Sequence, residues 1–299
     1  MNVRKHDQIE LTKKMEPLLS IVLPAKNEAN SLTTLLPKLR EIYPETEIIV
    51  VDDGSNDETI AVCRSHNTKL VSHPYSKGNG AAVKTGARLA NGDVIVFMDA
   101  DGQHQPEDIE RLLTKLRDGH DMVVGARQKG SQASIGRSLG NRFYNLLSSW
   151  MVGQQIADLT SGFRAVRTDY FREFLHLLPN GFSYPTTITM AFFRAGYTVS
   201  YIPIVAMKRR GNSHIRPLRD ALRFLLIIFK IGTLYSPLKI FTPISGLFFL
   251  LGIGYYGYTF AEFGRFTNMS ALLFSTSVLV FLIGLVAEQI TMLLYKDAR

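Results

Sequence analysis

The chain has 299 residues, 46% of them hydrophobic, which is enough for one large domain with an accessory part. Its single cysteine, Cys63, excludes an intramolecular disulfide and a cysteine-built zinc site. The formal net charge of +8 fits a nucleic acid, an anionic membrane surface or a phosphorylated substrate, and does not choose among them.

Residues 1–15 show no periodic pattern and read as a flexible tail. The first 19 residues are charged throughout, so no cleavable leader is expected. Residues 16–213 form a domain in which apolar runs alternate with helical patterns. "LLSIVLPA" reads as a strand and "NSLTTLLPKLREIY" as a helix; "EIIVVDDGS" is a strand and "NDETIAVCRSH" a helix. "TKLVSH" is a short strand, followed by the helix "GNGAAVKTGARLA". "DVIVFMDAD" is a strand, "QPEDIERLLTKLR" a helix and "DMVVGAR" another strand. Short Val/Ile-rich strands between helices predict βαβ units and a mostly parallel α/β sheet with flanking helices.

Ligands of such sheets sit beyond the carboxyl ends of the strands. Those ends carry Pro24 to Glu28, Asp52 to Asp57, Asp99 to His104, and Gly125 to Arg127. The first strand is followed by no glycines, and Val83 stands where a Walker A motif needs Gly, so neither a nicotinamide cofactor nor an ATPase is indicated. Gly78 to Gly80 opens a helix whose N–H groups either meet a phosphate or simply start the helix.

In an extended segment, Asp99 and Asp101 point to one side and Ala100 to the other. Two unpaired acids there would repel. Mg²⁺ or Mn²⁺ resolves the conflict, with Gln103 adding a neutral oxygen. The alternative is that one acid caps the helix after Pro106. Asp53 combines turn chemistry with a place near a base or ribose. His104 reads as a loop residue. The clusters "DLTSGFRAVR" and "KRRGNSHIRP", with Arg127 and Arg137, supply guanidinium groups for phosphate oxygens. There is no aromatic-rich basic stripe, so nucleic acid is not an expected partner.

Residues 214–235 place Arg216, Arg219, Arg223 and Lys230 on one helical face. They read as an amphipathic helix at the membrane interface, or as one packed on the preceding domain. Residues 236–299 carry two uncharged stretches, Ile240 to Ala261 and Phe266 to Ala287, each near the ~20 residues that cross a bilayer. The alternative is a pair of buried core helices. Lys and Arg crowd the N-terminal side of this hairpin, Lys296 and Arg299 follow it, and only Arg265 lies between the spans. The expected arrangement is a two-span membrane protein with its main domain and both termini in the cytoplasm.

In order, "SIVLPAKNEANSL", "IIVVDDGSNDET", "KGNGAAVKTG", "DVIVFMDADGQHQPEDI", "VVGAR" and "DLTSGFRA" resemble the motifs of family 2 glycosyltransferases. The resemblance is to polyprenyl-phosphate glycosyltransferases of the dolichyl-phosphate mannose synthase type. It covers about Leu18 to Pro217, and the C-terminal hairpin suits the membrane-bound members. It implies a glycosyltransferase-A-type, Rossmann-like fold, a UDP- or GDP-linked sugar donor and a divalent metal. Residues 16–213 would be the catalytic domain. By motif, Pro24, Ala25 and Glu28 would line the nucleotide, Val51 and Asp53 its base and ribose, with Lys77 nearby. Asp99, Asp101 and Gln103 would hold metal and diphosphate, and Ala100 would touch the nucleotide.

By the same resemblance, Arg127 and Arg137 would contact donor or acceptor phosphates. Asp158 falls where the family places its proposed base, and Ser161, Gly162 and Arg164 belong to the acceptor loop. Arg209, Arg210, Ser213 and Arg216 are candidates for the acceptor phosphate. Two positions differ from the family pattern: Lys26 replaces a frequent aromatic, and His214 follows Ser213 where Lys is usual. The implied reaction is inverting transfer of a hexose to a dolichyl or undecaprenyl phosphate. A phosphate nucleophile is largely ionised at neutral pH, so Asp158 is expected mainly to orient the acceptor and sugar. Oligomerisation through the hairpin is possible. A processive synthase would be expected to carry a Q-x-x-R-W motif, and the only Trp, Trp150, lies in "LSSWMVG". A silent scaffold or nucleotide-sugar sensor would have no need of Asp99, Asp101, Gln103 and Asp158 together.

Overall fold

Strand β1 (Leu19–Ala25) packs Ile21 and Leu23 into one apolar cluster and Val22 into another. Side chains alternate across a pleated strand, so a strand apolar on both faces needs cover on both. The rest of the chain supplies it. The computed structural model describes residues 18–128, 145–181, 183–205, 207, 229 and 232–294.

After β1 come α1 (Ala29–Ile42), β2 (Glu47–Asp52), α2 (Thr59–Ser65), β3 (Lys69–Ser72), α3 (Asn79–Leu89), β4 (Val94–Phe97), α4 (Asp108–Arg117) and β5 (Met122–Arg127). Then follow β6 (Arg164–Arg167), α5 (Thr168–Glu173), α6 (Tyr184–Ala195), β7 (Val199–Ile204), α7 (Pro237–Phe263) and α8 (Asn268–Leu294). The seven strands lie in the order β3-β2-β1-β4-β6-β5-β7. All pairings are parallel except those of β6, which runs antiparallel between β4 and β5.

Leu32, Leu35, Leu36 and Leu39 of α1, with Ile109, Leu112, Leu113 and Leu116 of α4, cover one face. Ala82, Val83 and Ala87 of α3, Phe171 of α5 and Ile188, Ala191 and Phe192 of α6 cover the other. These spacings of three and four are the apolar stripe of a helix laid on a sheet. The expected strands and helices up to Arg127 are present. The strand expected over Asp93 to Asp101 pairs only from Val94 to Phe97. β6, α5, α6 and β7 had no counterpart in the sequence reading.

Helices α7 and α8 have 27 residues each, and only 11% and 17% of their most apolar stretches are buried in the chain. A core helix would be mostly buried, so the buried-core alternative fails. Along the seam they bury Ser245, Gly252 and Thr259 against Ser270, Ser277, Gly284 and Thr291. A small residue at every seventh position lets two helices approach as an antiparallel coiled pair. Ser245 and Ser277 each donate a hydroxyl to the other's carbonyl, both at 2.9 Å.

Candidate active site

The carboxyl ends of β1, β2, β4 and β5 converge because these strands run the same way. They open on a cavity of about 480 Å³. β1 supplies Pro24, Ala25, Lys26 and Glu28, and β2 supplies Asp53. The turn after β4 supplies Asp99, Ala100, Asp101, Gln103 and His104, and β5 supplies Arg127. Thr160, Ser161 and Gly162 come from the loop before β6, and Asn79, Ala82 and Ser183 to Thr186 form the far wall.

Both expected acids face this cavity, but not through strand alternation. The last ladder bond of β4 runs from Met98 N to Val22 O at 3.1 Å, and the chain then turns. Gly102, at φ +73°, reverses it, which a β-carbon would disfavour. Asp101 then accepts Gln103 N at 3.1 Å on Oδ1 and Gln103 Nε2 at 2.6 Å on Oδ2. Gln103 therefore braces Asp101 as a donor; the expected neutral oxygen is not the group it directs at the acid. Neither acid caps α4, whose N-cap, Glu107, makes no side-chain cap bond.

Partial burial pushes the Asp99 carboxyl up, but His104, Arg127 and Arg164 outweigh it and hold the group below the usual carboxylate range. His104 lies in the turn after β4, the expected loop position, but it is not a free loop side chain. It is buried, stacks on Phe163 with centroids 4.8 Å apart, and sets Nε2 3.7 Å from Asp99 Oδ2. Its buried Nδ1 has no partner among the described residues. A β-carbon on Gly162 would lie 3.0 Å from Asp99 Oδ2, so that glycine lets the loop pass close to the acid.

Arg127 grips Asp158 with two parallel bonds, Nε to Oδ2 at 2.8 Å and Nη2 to Oδ1 at 3.0 Å. Thr160 N and Oγ1 also donate to Oδ1, each at 3.1 Å. Burial raises the Asp158 carboxyl, but the Arg127 fork outweighs it and keeps the group ionised well below the usual range. Asp158 is buried behind Arg127, which itself faces the cavity.

Asp53 also reaches the cavity, with both oxygens occupied. It accepts His73 Nδ1, Ser76 Oγ, Lys77 N and Gly78 N at 2.7–2.8 Å. Its first task is therefore to fix the loop ahead of α3. Val51 is fully buried in the core, and the Lys77 ammonium lies 5.7 Å from the Tyr75 ring centroid; neither side chain lines the cavity. Gly78 and Gly80 are needed for backbone approach. A β-carbon there would meet the carbonyl oxygens of Asn180 at 2.4 Å and Pro179 at 2.1 Å. Of the two readings of that helix start, the structural one accounts for both glycines.

Ser161 lines the cavity with a buried hydroxyl that has no partner among the described residues. Arg164 does not line it. Its side chain is fully buried, donating to Ser161 O and, at 3.2 Å, to Pro185 O and Thr189 Oγ1. It ties the loop to the first turn of α6. Arg137, Arg209, Arg210, Ser213, Arg216 and most of the expected interface helix lie outside the described residues. Sequence reading missed Asn79, Thr160 and Ser183 to Thr186. Asn79 and Thr160 stood inside motifs already singled out, and Ser183 to Thr186 carried no local signal.

A model of glycosyl transferase family 2 matches residues 20–175, more than half of the chain. The chain belongs to that family. A second model, the GtrB C-terminal hairpin, matches residues 236–293 of this glycosyltransferase, the segment that holds α7 and α8. The undecaprenyl-phosphate mannosyltransferase of Micrococcus luteus is 31% identical, over 63% of this chain and 83% of its own. The undecaprenyl-phosphate 4-deoxy-4-formamido-L-arabinose transferase of Pseudomonas fluorescens is 28% identical, over 94% of this chain and 87% of its own. Among solved structures, glucosyl-3-phosphoglycerate synthase of Mycobacterium tuberculosis with Mn²⁺, UDP and phosphoglyceric acid superposes with a TM-score of 0.58. It is 20% identical and covers 72% of this chain and 78% of its own, a likeness of fold.

Proposed function

We propose that this glycosyltransferase moves a hexose from a UDP- or GDP-linked sugar to a polyprenyl phosphate, with inversion, at the cytoplasmic membrane face. One observation carries the reading: Asp99, Asp101 and Arg127 share one cavity on a chain that ends in an apolar two-helix hairpin. The named activities of the bacterial relatives support the acceptor class. The excess of Lys and Arg on both flanks of the hairpin supports cytoplasmic placement of the domain and both termini.

The acid pair fits Mg²⁺ or Mn²⁺. Among the described residues no group of three His, Cys, Asp or Glu is placed to cage a metal. Two carboxylates with the remaining positions left to diphosphate oxygens is a donor set such hard cations accept. When bound, the ion supplies charge neutralisation for the departing nucleoside diphosphate. Asp99 and Asp101 would hold it, and Gln103 keeps Asp101 oriented.

Arg127 uses Nε and Nη2 on Asp158, while Nη1 takes no partner among the described residues and is offered to a phosphate oxygen. Asp158 thus acts by fixing a guanidinium fork. A carboxylate held this far below its usual range is a weak base. A lipid phosphate monoester, with a second pKa near ~6, needs little help to ionise. Ser161 supplies a hydroxyl to the acceptor side.

The test is a panel of nucleotide sugars offered with polyprenyl phosphate, with and without Mg²⁺ or Mn²⁺, and the lipid product weighed by mass spectrometry. A polyprenyl-phosphate hexose is expected only with metal. Products longer than one sugar would point instead to a processive enzyme, and none from any donor would overturn the reading.

A further inference from the structure

Glu288 is an acid inside the apolar helix α8, and three parts of the molecule meet on it. Its Oε1 accepts Arg194 Nη2 at 3.0 Å, and its Oε2 accepts Leu238 N at 3.3 Å. Leu238 N is one of the orphan donors at the start of α7. Arg194 is the penultimate residue of α6 and belongs to the catalytic domain. It also donates to Tyr235 O at 2.7 Å and lies over the Tyr235 ring, 5.8 Å from its centroid. An acid in a lipid-facing helix is disfavoured unless paired, and this one is nine-tenths buried in its pair.

The other end of α6 reaches the cavity. Tyr184, Pro185 and Thr186 line it, and Arg164 ties Pro185 O and Thr189 to Ser161 of the acceptor loop. α6 has 12 residues, so it spans about 18 Å from cavity wall to hairpin. A second tie runs beside it: Lys239 Nζ donates to Met151 O at 2.7 Å. Met151, Ile156 and Leu159 form one small apolar core with Tyr235. Leu159 adjoins Asp158. The acceptor side of the site is thus held to the hairpin base from two directions.

We propose that Arg194 and Glu288 are positioning residues. They form the joint through which α6, as a strut, sets the height and tilt of the cavity over the bilayer for a membrane-embedded acceptor phosphate. The inference rests on the polyprenyl-phosphate reading. A joint of this kind matters to a lipid acceptor, whose phosphate height is fixed by the membrane. It matters little to an acceptor free to diffuse in.

The experiment uses the full chain in lipid vesicles, with a long polyprenyl phosphate in the bilayer and a water-soluble two-isoprene phosphate as alternative acceptors. Arg194→Gln and Glu288→Gln are expected to lower kcat/KM for the embedded acceptor about 10–100-fold, as small misplacements do. They should leave the soluble acceptor and the KM for nucleotide sugar unchanged. Arg194→Lys, which keeps the charge, is expected to show the same preference at smaller size. Equal losses on both acceptors, or no loss on either, would overturn the proposal.

Wild-type protein that transfers to neither acceptor refutes the polyprenyl-phosphate reading instead. The joint is then read directly, from a fluorophore on the Glu41→Cys variant, Cys63 being buried, and a quencher on the lipid headgroups. Glu288→Gln should broaden the distance distribution from bilayer to domain. Identical distributions would overturn the joint.

Discussion

Arg127 and Asp158, 31 residues apart in sequence, form a two-pronged ion pair with the carboxylate turned away from the cavity and the guanidinium facing it. The pair makes Asp158 an orienting group. Asp158→Asn is therefore expected to slow transfer by only about 10–100-fold, at or below the bottom of the range for groups moving protons in the transition state. The folded carboxyl lies below its usual value of about 3.9, so it stays ionised as pH falls to that range. The acid limb of the kcat/KM profile should thus lie in the same place in wild type and Asp158→Asn, with only the height changed. Complete loss with both substrates still binding would restore the role of base.

Gly162 passes so near Asp99 that a methyl group would crowd Oδ2 at 3.0 Å. Gly162→Ala is expected to push the carboxylate out of place, weakening the response to Mg²⁺ or Mn²⁺ about 10-fold or more with little effect on folding. Asp99→Asn and Asp101→Asn should abolish both turnover and that response. Metal titrations of activity, with thermal melts as controls, separate these outcomes; undiminished turnover in EDTA would exclude the metal role.

Much of this site was legible because its parts repeat a pattern. β1, β2, β4 and β5 each read as an apolar run ending in polar residues, and the acids at Asp53, Asp99 and Asp101 sit at those ends. What the acids do to their neighbours was not legible. Gln103 as a donor, His104 stacked on Phe163 beside Asp99 and the fork on Asp158 depend on a turn, a ring contact and a long-range pair. The second half of the sheet hid for a different reason. β6 is four residues with Arg at both ends, and its burial comes from β4 and β5 on either side. α6 is buried almost all round, so "YPTTITMAFFRA" shows no amphipathic stripe to find.

Asp53 offers a test on stability rather than turnover. Its carboxylate closes four hydrogen bonds on His73, Ser76, Lys77 and Gly78. Burial raises the group, but those four donors outweigh it and leave it lowered. A depressed folded pKa means the stabilisation is complete above the unfolded value near 3.9 and is lost as pH falls through the folded value. Asp53→Asn, which can accept on one oxygen only, is expected to cost about 1–3 kcal/mol at neutral pH. The cost should shrink as pH falls through the lowered folded value, where the wild-type carboxyl also protonates. Denaturation midpoints of both proteins from neutral pH down into acid check the sign; a gap that widens in acid would refute it.

Arg164 stands in the acceptor motif, yet it is wholly buried and spends its guanidinium on Ser161 O, Pro185 O and Thr189 Oγ1. A phosphate ligand and a buried brace fail differently. Removing a ligand raises KM for the acceptor in a protein of normal stability. Removing a brace strands Ser161 O, at a cost of about 1–3 kcal/mol, while Thr189 Oγ1 still donates to Pro185 O at 2.7 Å. Arg164→Met is therefore expected to destabilise the chain by about 1–3 kcal/mol, enough to lower the thermal midpoint by several degrees. Residual activity should fall through kcat, because the loop bearing Ser161 loosens from α6. An unchanged midpoint with a raised acceptor KM would return Arg164 to the phosphate site.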